Sequence, residues 1–205
     1  MKTMRTFAIV PVKELRASKK RLSHVLSREK RTELMVGMLR DVLSALKLST
    51  IEQVLAVSPD AAVKKIVCEY GFSFISPKNA RLNPSLSEAI EYAEQREADA
   101  VLILPADLPL VCPYDICKLV ELGSEPSTVV LSPSLDGGTN ALLLNPPDAI
   151  PVSFGKGSFF KHVEEALKKD VRLRFHVSRE VMLDIDSEDD LKKLLEIRAV
   201  DSKQF

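Results

Sequence analysis

The sequence predicts an α/β domain whose mostly parallel central sheet carries helices on both faces and a local antiparallel element. Three observations predict it. Short apolar runs with β-branched residues alternate with longer stretches whose apolar positions recur every three or four residues. One run, Ala100 to Leu104, is apolar throughout, as a strand buried on both faces of a parallel sheet must be. In the last third the strand-like runs crowd together, which suggests antiparallel pairing added to the sheet.

Taken in order, Phe7 to Val12 reads as a buried first strand ended by charge. From about Arg28 to Leu48, the residues Leu34, Met35, Met38, Leu39, Val42, Leu43 and Leu46 form one helical stripe, with Ser27 placed to cap its start. Val54 to Val57 is a second strand, and Val63, Ile66, Val67 and Tyr70 mark the helix after it, closed by a left-handed turn at Gly71. Phe72 to Ile75 is a third strand. Ser85-Leu-Ser-Glu88 has capping-box spacing, which predicts a helix to about Glu97 with Leu86, Ala89, Ile90 and Ala93 inward. Tyr114 to Leu122 is a helix stopped by Gly123. Strands are expected at Thr128–Leu131, Asn140–Leu144, Arg172–Val177 and Met182–Ile185, with a helix at Ser158–Lys169 and a last one capped by Ser187 and reaching about Arg198. Neither an internal repeat nor a Pro/Gly/Ser-rich linker divides the chain, so one domain over 1–205 is expected.

Composition bounds the function. The chain has 205 residues, 45% hydrophobic and 28% charged, enough for a sizeable core without disulfide staples. Lysine plus arginine equals aspartate plus glutamate at 29 each, which argues against non-specific nucleic-acid binding. Cys68, Cys112 and Cys117 lack metal-ligand spacing and read as reduced thiols. No apolar run approaches the ~20 residues needed to span a bilayer, and the start, Met-Lys-Thr-Met-Arg-Thr, leads into a strand pattern without a signal-peptide core. A cytoplasmic protein with no membrane partner is the expectation. The amphipathic helices are compatible with a homodimer, although the core alone accounts for their stripes.

In parallel sheets ligands collect at the carboxyl ends of the strands, and five segments just beyond strands carry candidate chemistry. The stretch Val10 to Leu22 holds five cations within nine residues: Lys13, Arg16, Lys19, Lys20 and Arg21. It is either a solvated basic loop or a cradle for a polyphosphate, whose charge would relieve the crowding. In Pro105-Ala-Asp107-Leu-Pro109, Asp107 is held between prolines as a rigid oxygen ligand, or else as a turn aspartate. Asp136-Gly-Gly-Thr139-Asn140 offers glycines for close backbone approach and an anion nest; Asp-Gly between strands is equally a hairpin signal.

Phe154-Gly155-Lys-Gly157-Ser158 opens a helix, where free N–H groups favour phosphate, but it lacks the spacing of a Walker loop. In Leu183-Asp184-Ile-Asp186-Ser187, alternation puts both carboxylates on one side of an extended segment, about 7 Å apart. Together with Asp107 they would suit Mg²⁺, which takes a few carboxylates and completes its shell with water and phosphate oxygens. The competing reading makes Asp186 or Ser187 a helix cap and leaves Asp184 exposed. His24, His162 and His176 form no catalytic arrangement, and surface placement is expected for them.

Together, Val-Pro-Val-Lys with Ser-Lys-Lys-Arg-Leu, Pro-Ala-Asp-Leu-Pro, Asp-Gly-Gly-Thr-Asn, Phe-Gly-Lys-Gly-Ser-Phe and Leu-Asp-Ile-Asp resemble, in order and over nearly the whole chain, the 2-phospho-L-lactate guanylyltransferases, the CofC family of deazaflavin coenzyme biosynthesis. The resemblance implies a Rossmann-like nucleotidyltransferase fold of the glycosyltransferase A type. It implies a reaction joining GTP and 2-phospho-L-lactate into lactyl-2-diphospho-5′-guanosine with release of pyrophosphate. Other acceptors compatible with the same loops are phosphoenolpyruvate, 3-phosphoglycerate and molybdopterin, and a GTP-binding regulator without turnover is the non-enzymatic alternative. The family implies that Lys13, Lys19 and Arg21 hold the triphosphate and the acid's anionic groups, that Asp107, Asp184 and Asp186 carry Mg²⁺, and that Thr139, Gly155 and Ser158 cradle the phosphoacid. Members often show Gly-Leu-Asn where this chain has Arg81-Leu82-Asn83, the stretch containing the substrate candidate Asn83 and expected near the guanine.

Overall fold

A computed structural model describes residues 4–79 and 81–201. The first three residues, part of the start expected to lead straight into a strand, lie outside that range. One seven-stranded sheet organises the chain, in the order β3-β2-β1-β4-β6-β5-β7. Its strands are β1 (Thr6–Pro11), β2 (Gln53–Val57), β3 (Ser73–Ile75), β4 (Ala100–Ile103), β5 (Thr128–Pro133), β6 (Thr139–Asn145) and β7 (Arg172–Phe175). All neighbours pair in parallel except those of β6, which runs antiparallel to both β4 and β5. The expected antiparallel element therefore sits inside the sheet, because the Asp136-Gly-Gly turn folds β6 back between β5 and β4.

Strand alternation divides the core into two layers. Ala8, Val10, Leu102 and Leu104 face the helices α1 (Arg28–Lys47), α2 (Ala61–Glu69), α4 (Pro113–Leu122), α6 (Arg179–Met182) and α7 (Glu188–Asp201). Phe7, Ile9, Val101 and Ile103 face α3 (Leu82–Glu94) and α5 (Ser158–Lys168). The α1 stripe buries Met35, Met38, Leu39, Val42, Leu43 and Leu46, and Ser27 caps it by accepting from the Lys30 N–H. Each fully buried Leu or Met of this kind contributes about 1.5–3 kcal/mol of transfer free energy, so the stripe fixes α1 against the strands that carry the site.

Two expectations are corrected. Helix α3 starts at Leu82, not at Ser85; Pro84 fits a first turn, where no N–H is needed, and the Ser85 hydroxyl donates to the Leu82 carbonyl inside the helix. Met182–Ile185 is not a strand. Ser178 caps α6 by accepting from Val181 N–H, and the chain then runs on from Leu183 with a single backbone bond toward the strand ends among the described residues, Ile185 N–H to the Asp107 carbonyl at 3.3 Å. Gly123 ends α4 as expected, with φ −91°. Glycine is required there by space, since an added Cβ would collide with Leu143.

Among the described residues no helix is long and apolar enough to cross a membrane. The cysteines are free thiols.

Candidate active site

The chain leaves β1 toward β2 on one side and returns to β4 on the other, opening a crevice beyond the carboxyl ends of β1 and β4. The basic loop fills one wall. Buried Val12, Leu15 and Leu22 anchor it, and Leu15 N–H donates to Asp60 Oδ2 at 3.0 Å. Two short 3-10 turns, Leu15–Ala17 and Lys20–Leu22, flank Lys19, whose φ of 52° places it in the left-handed region. A non-glycine residue held there by its surroundings is a local cost accepted for position. Its effect is to turn the Lys19 side chain inward, to 4% exposure, while Lys13, Lys20 and Arg21 remain exposed.

The Lys19 ammonium meets Asp107 Oδ2 at 2.6 Å and Asp186 Oδ1 at 2.9 Å. Arg21 stands 3.7 Å from the other oxygen of Asp186. Asp107, Asp184 and Asp186 each offer an oxygen atom within 4.8 Å of the others'. The alternation read from the sequence holds without a strand: Leu183 and Ile185 are buried, and the intervening aspartates turn toward Asp107.

Electrostatics differ sharply within the trio. Burial, followed by the Asp107 charge, raises the Asp184 carboxyl to about 6, against a lowering hydrogen bond from Asn140. Burial would also raise Asp186, but the Lys19 charge beside it, with Arg21 and Lys13, outweighs burial and holds it below the usual carboxylate range. Burial would lower Lys19, and the two carboxylates reverse that, leaving it above its ordinary value. Such clustering of opposed shifts marks the trio as a candidate site.

The second half of the site begins one residue away on β6. Thr139 and Asn140 point to opposite faces of the sheet, as successive strand residues do. Asn140 Nδ2 donates to the carbonyls of Val181 and Met182 at 2.9 and 3.2 Å and to Asp184 Oδ1 at 3.2 Å, fixing the carboxylate segment. On the other face Ser158 Oγ donates to Thr139 Oγ1 at 3.2 Å, and Thr139 Oγ1 lies 3.0 Å from His162 Nδ1.

Ser158 is the first residue of α5, reached through Gly155 at φ 125° and Gly157 at φ 67°. Both glycines have open space where a Cβ would stand, so it is backbone conformation that requires them. Asn83 clamps the same loop. Its Oδ1 accepts from Phe154 N–H at 2.8 Å and its Nδ2 donates to the Phe154 carbonyl at 3.1 Å.

The candidates thus gather in two connected groups, Lys13, Lys19, Arg21, Asp107, Asp184 and Asp186 in one, and Thr139, Gly155, Ser158 and Asn83 in the other. The competing reading of Ser187 also holds, since its hydroxyl donates to Asp190 Oδ2 at 2.6 Å and accepts from Asp190 N–H at the start of α7. Asp184 is not an exposed bystander.

The histidines correct the expectation of surface placement. His24 is on the surface, but His162 is fully buried and His176 is 9% exposed. His176 Nε2 lies 2.9 Å from Asp115 Oδ1, which also accepts from Ser178 Oγ at 2.8 Å, while Asp115 Oδ2 accepts from Cys112 N–H at 3.2 Å. Burial raises Asp115, but these hydrogen bonds win and hold it at about 2. This clamp ties α4 to the turn leading into the carboxylate segment. Sequence reasoning missed it and the role of Asn140; the Cys112-x-x-Asp115 capping-box spacing was the one available signal for the clamp.

A family model described as "Guanylyl transferase CofC like" matches residues 6–203. The chain is 44% identical over 192 residues to the phosphoenolpyruvate guanylyltransferase of Rubrobacter xylanophilus, covering 93% of this chain and 94% of the relative. It is 34% identical over 193 residues to the 2-phospho-L-lactate guanylyltransferase of Methanothermobacter thermautotrophicus, covering 94% and 85%. Among solved structures, a nucleotidyl transferase from Methanothermobacter thermautotrophicus superposes with a TM-score of 0.70 at 15% identity, covering 93% of this chain and 95% of that one, which shows the shared fold. With its seven-stranded sheet, its paired site groups and a family match spanning nearly the whole chain, the protein belongs to the CofC-like guanylyl transferases, a nucleotidyltransferase family.

Proposed function

We propose that the chain joins GTP to 2-phospho-L-lactate, giving lactyl-2-diphospho-5′-guanosine and pyrophosphate, a step in deazaflavin coenzyme (F-420) biosynthesis. The observation that carries this reading is the juxtaposition, across the first two residues of β6, of a three-carboxylate cluster and a hydroxyl pair at a helix N-terminus. One half suits a metal-bound triphosphate and the other a phosphorylated acid.

The carboxylates fit Mg²⁺: the donors are all oxygen, and the cluster is open enough for Asp107 and Asp186 to be 25% and 45% exposed, leaving room for water and phosphate ligands. Asp107, Asp184 and Asp186 would hold the ion, which supplies charge neutralisation to the triphosphate oxygens. Lys13, Lys19 and Arg21 supply the protein's own positive charge along the same wall. Thr139, Ser158 and the backbone about Gly155 orient the phosphate of the acid.

A bond forms from an acid phosphate oxygen to the α-phosphorus of GTP as the bond to the β-phosphate oxygen breaks, and pyrophosphate leaves with that electron pair. A phosphate dianion is nucleophilic at neutral pH, so no general base is required. Catalysis on this reading is positioning and electrostatic stabilisation.

The name of the 44% identical relative favours a second acceptor, phosphoenolpyruvate. A matrix of nucleotides against 2-phospho-L-lactate, phosphoenolpyruvate and 3-phosphoglycerate, read as pyrophosphate formed, tests both. Pyrophosphate is expected only when GTP, Mg²⁺ and an acceptor are all present. GTP binding without pyrophosphate from any acceptor would leave the non-catalytic regulator as the better account.

A further inference from the structure

His162 is buried in full beside the hydroxyl pair, yet the transfer reaction gives it no task. Its ring is fixed on both nitrogens. Ser153 N–H donates to Nε2 at 2.9 Å, Nδ1 lies 3.0 Å from Thr139 Oγ1, and the ring meets Phe154 edge-on at 5.1 Å between centroids. A backbone N–H has only a proton to offer, so Nε2 must present its lone pair. Burial, with the Lys161 charge adding to it, lowers the imidazole to about 4, so the ring is neutral near pH 7 and carries its single proton on Nδ1.

We propose that His162 is a positioning residue for the acceptor acid: by donating from Nδ1 to Thr139, it forces the Thr139–Ser158 pair to present a hydroxyl proton outward to an anionic, acceptor-only oxygen. A hydroxyl has one proton and two lone pairs. Thr139 Oγ1 spends one pair on His162 and the other on the Ser158 proton. Its own proton then has no acceptor among the described residues. If Thr139 instead donated to Ser158, the Ser158 proton would be the one released.

Either way one donor leaves the trio. The opposite tautomer reverses the result: Thr139 would donate to His162 and Ser158 to Thr139, and the pair would offer only lone pairs, which repel a phosphate or carboxylate oxygen. The tautomer thus sets the sign of the subsite. Ser153 N–H, one residue before the glycine loop's Phe154, sets the tautomer.

This inference rests on the guanylyl-transfer reading for its ligand, and two measurements separate their fates. Nitrogen-15 NMR of the imidazole between pH 6 and 8 reads the tautomer without turnover. A protonated Nδ1 and a bare Nε2 are expected at His162; a protonated Nε2 overturns the proposal. Kinetics then test the consequence. In H162N the amide nitrogen stands near the Nδ1 position and keeps the donor to Thr139. In H162Q the amide oxygen stands near Nε2 and keeps only the Ser153 contact.

H162Q should raise KM for 2-phospho-L-lactate or phosphoenolpyruvate by about tenfold or more, the worth of one hydrogen bond to a charged group, with KM for GTP within about twofold. H162N should recover the acid KM to within about threefold of the parent. Equal acid KM defects in the two variants, or a GTP defect as large as the acid defect, would show His162 to be a packing residue and overturn the proposal. If the parent chain forms no pyrophosphate with any acid, the guanylyl reading fails, and the imidazole spectrum still decides the role of His162.

Discussion

Lys19 Nζ lies 2.6 Å from Asp107 Oδ2 and at the same time 2.9 Å from Asp186, so one ammonium bridges two of the three clustered carboxylates. The loop after β1 and the segment before α7 are far apart in sequence, and this bridge joins them over the end of β4. It also neutralises part of a charge cluster that would otherwise repel itself.

Lys19→Met removes that neutralisation while keeping the aliphatic stem. Breaking a buried pair costs about 3–5 kcal/mol; here Asp186 is 45% exposed, and solvent screening reduces the expected loss to about 1–3 kcal/mol. Thermal unfolding in a chelator should show the loss. Added Mg²⁺ should then raise the melting temperature of the variant by more than it raises the parent's. An equal response in both would mean that the ammonium and the cation do not share these carboxylates.

Asp107→Asn keeps the shape of the side chain and removes its charge at the mouth of the crevice. Pyrophosphate formation should fall by about 10²–10³, the scale of a lost electrostatic contact in a transition state. Calorimetric titration with Mg²⁺ alone should weaken in parallel. Retention of most activity would remove Asp107 from the metal set.

Asn83 was expected near the guanine, and its amide is engaged with both backbone polar groups of Phe154. Asn83→Ala frees the loop that carries Gly155 and Ser158, at a cost of about 1–3 kcal/mol for two unsatisfied partners. The acid KM should rise more than the GTP KM. A larger GTP effect would restore a direct role at the base.

Much of the candidate site was legible because charge and glycine are local signals. Lys19 and Asp107 stand out by residue type and by position after strands, Asp184 and Asp186 by their alternation with Leu183 and Ile185, and Gly155 and Gly157 by the positive φ that only such residues adopt without strain. The β6 reversal was visible in Asp136-Gly137, but its place inside the sheet depends on which edge of β4 was free, a tertiary fact. The supporting residues were hidden for another reason. Asn140, Asp115 and His162 each act through at least one partner 23 to 61 residues away, Val181, His176 and Thr139 respectively, and no spacing rule links such pairs. Burial of His162 could not be read from its charged sequence neighbours, because α5 turns one face inward while Lys161 and Glu164 stay outside.

Asp115 holds the turn before the carboxylate segment through His176, Ser178 and Cys112. Asp115→Ala would leave these donors unsatisfied in a buried place, with an expected loss of about 2–4 kcal/mol in urea unfolding. Because Ser178 caps α6 just ahead of Asp184, Mg²⁺ affinity should fall as well. A stability loss with unchanged Mg²⁺ affinity would confine the clamp to folding.

The lowered proton affinity of buried His162 fixes the sign of a pH dependence. The native chain refuses a proton down to about pH 4, whereas the unfolded chain accepts it near the ordinary value of 6.5. The stability contributed by the neutral buried ring is therefore fully present above pH 6.5 and is lost progressively as pH falls toward 4. The size is about 3 kcal/mol, from roughly 1.4 kcal/mol for each tenfold difference in proton affinity between the native and unfolded chains. Chemical unfolding of the parent across that window should show the decline, superposed on the titration of carboxylates at the lower end. In H162N the His162 component should vanish, so the difference in unfolding free energy between variant and parent should move in the variant's favour by about this amount between pH 6.5 and 4. A difference that stays flat across the window would mean that the native ring takes up its proton as readily as the unfolded one, and that Ser153 N–H does not hold Nε2 bare.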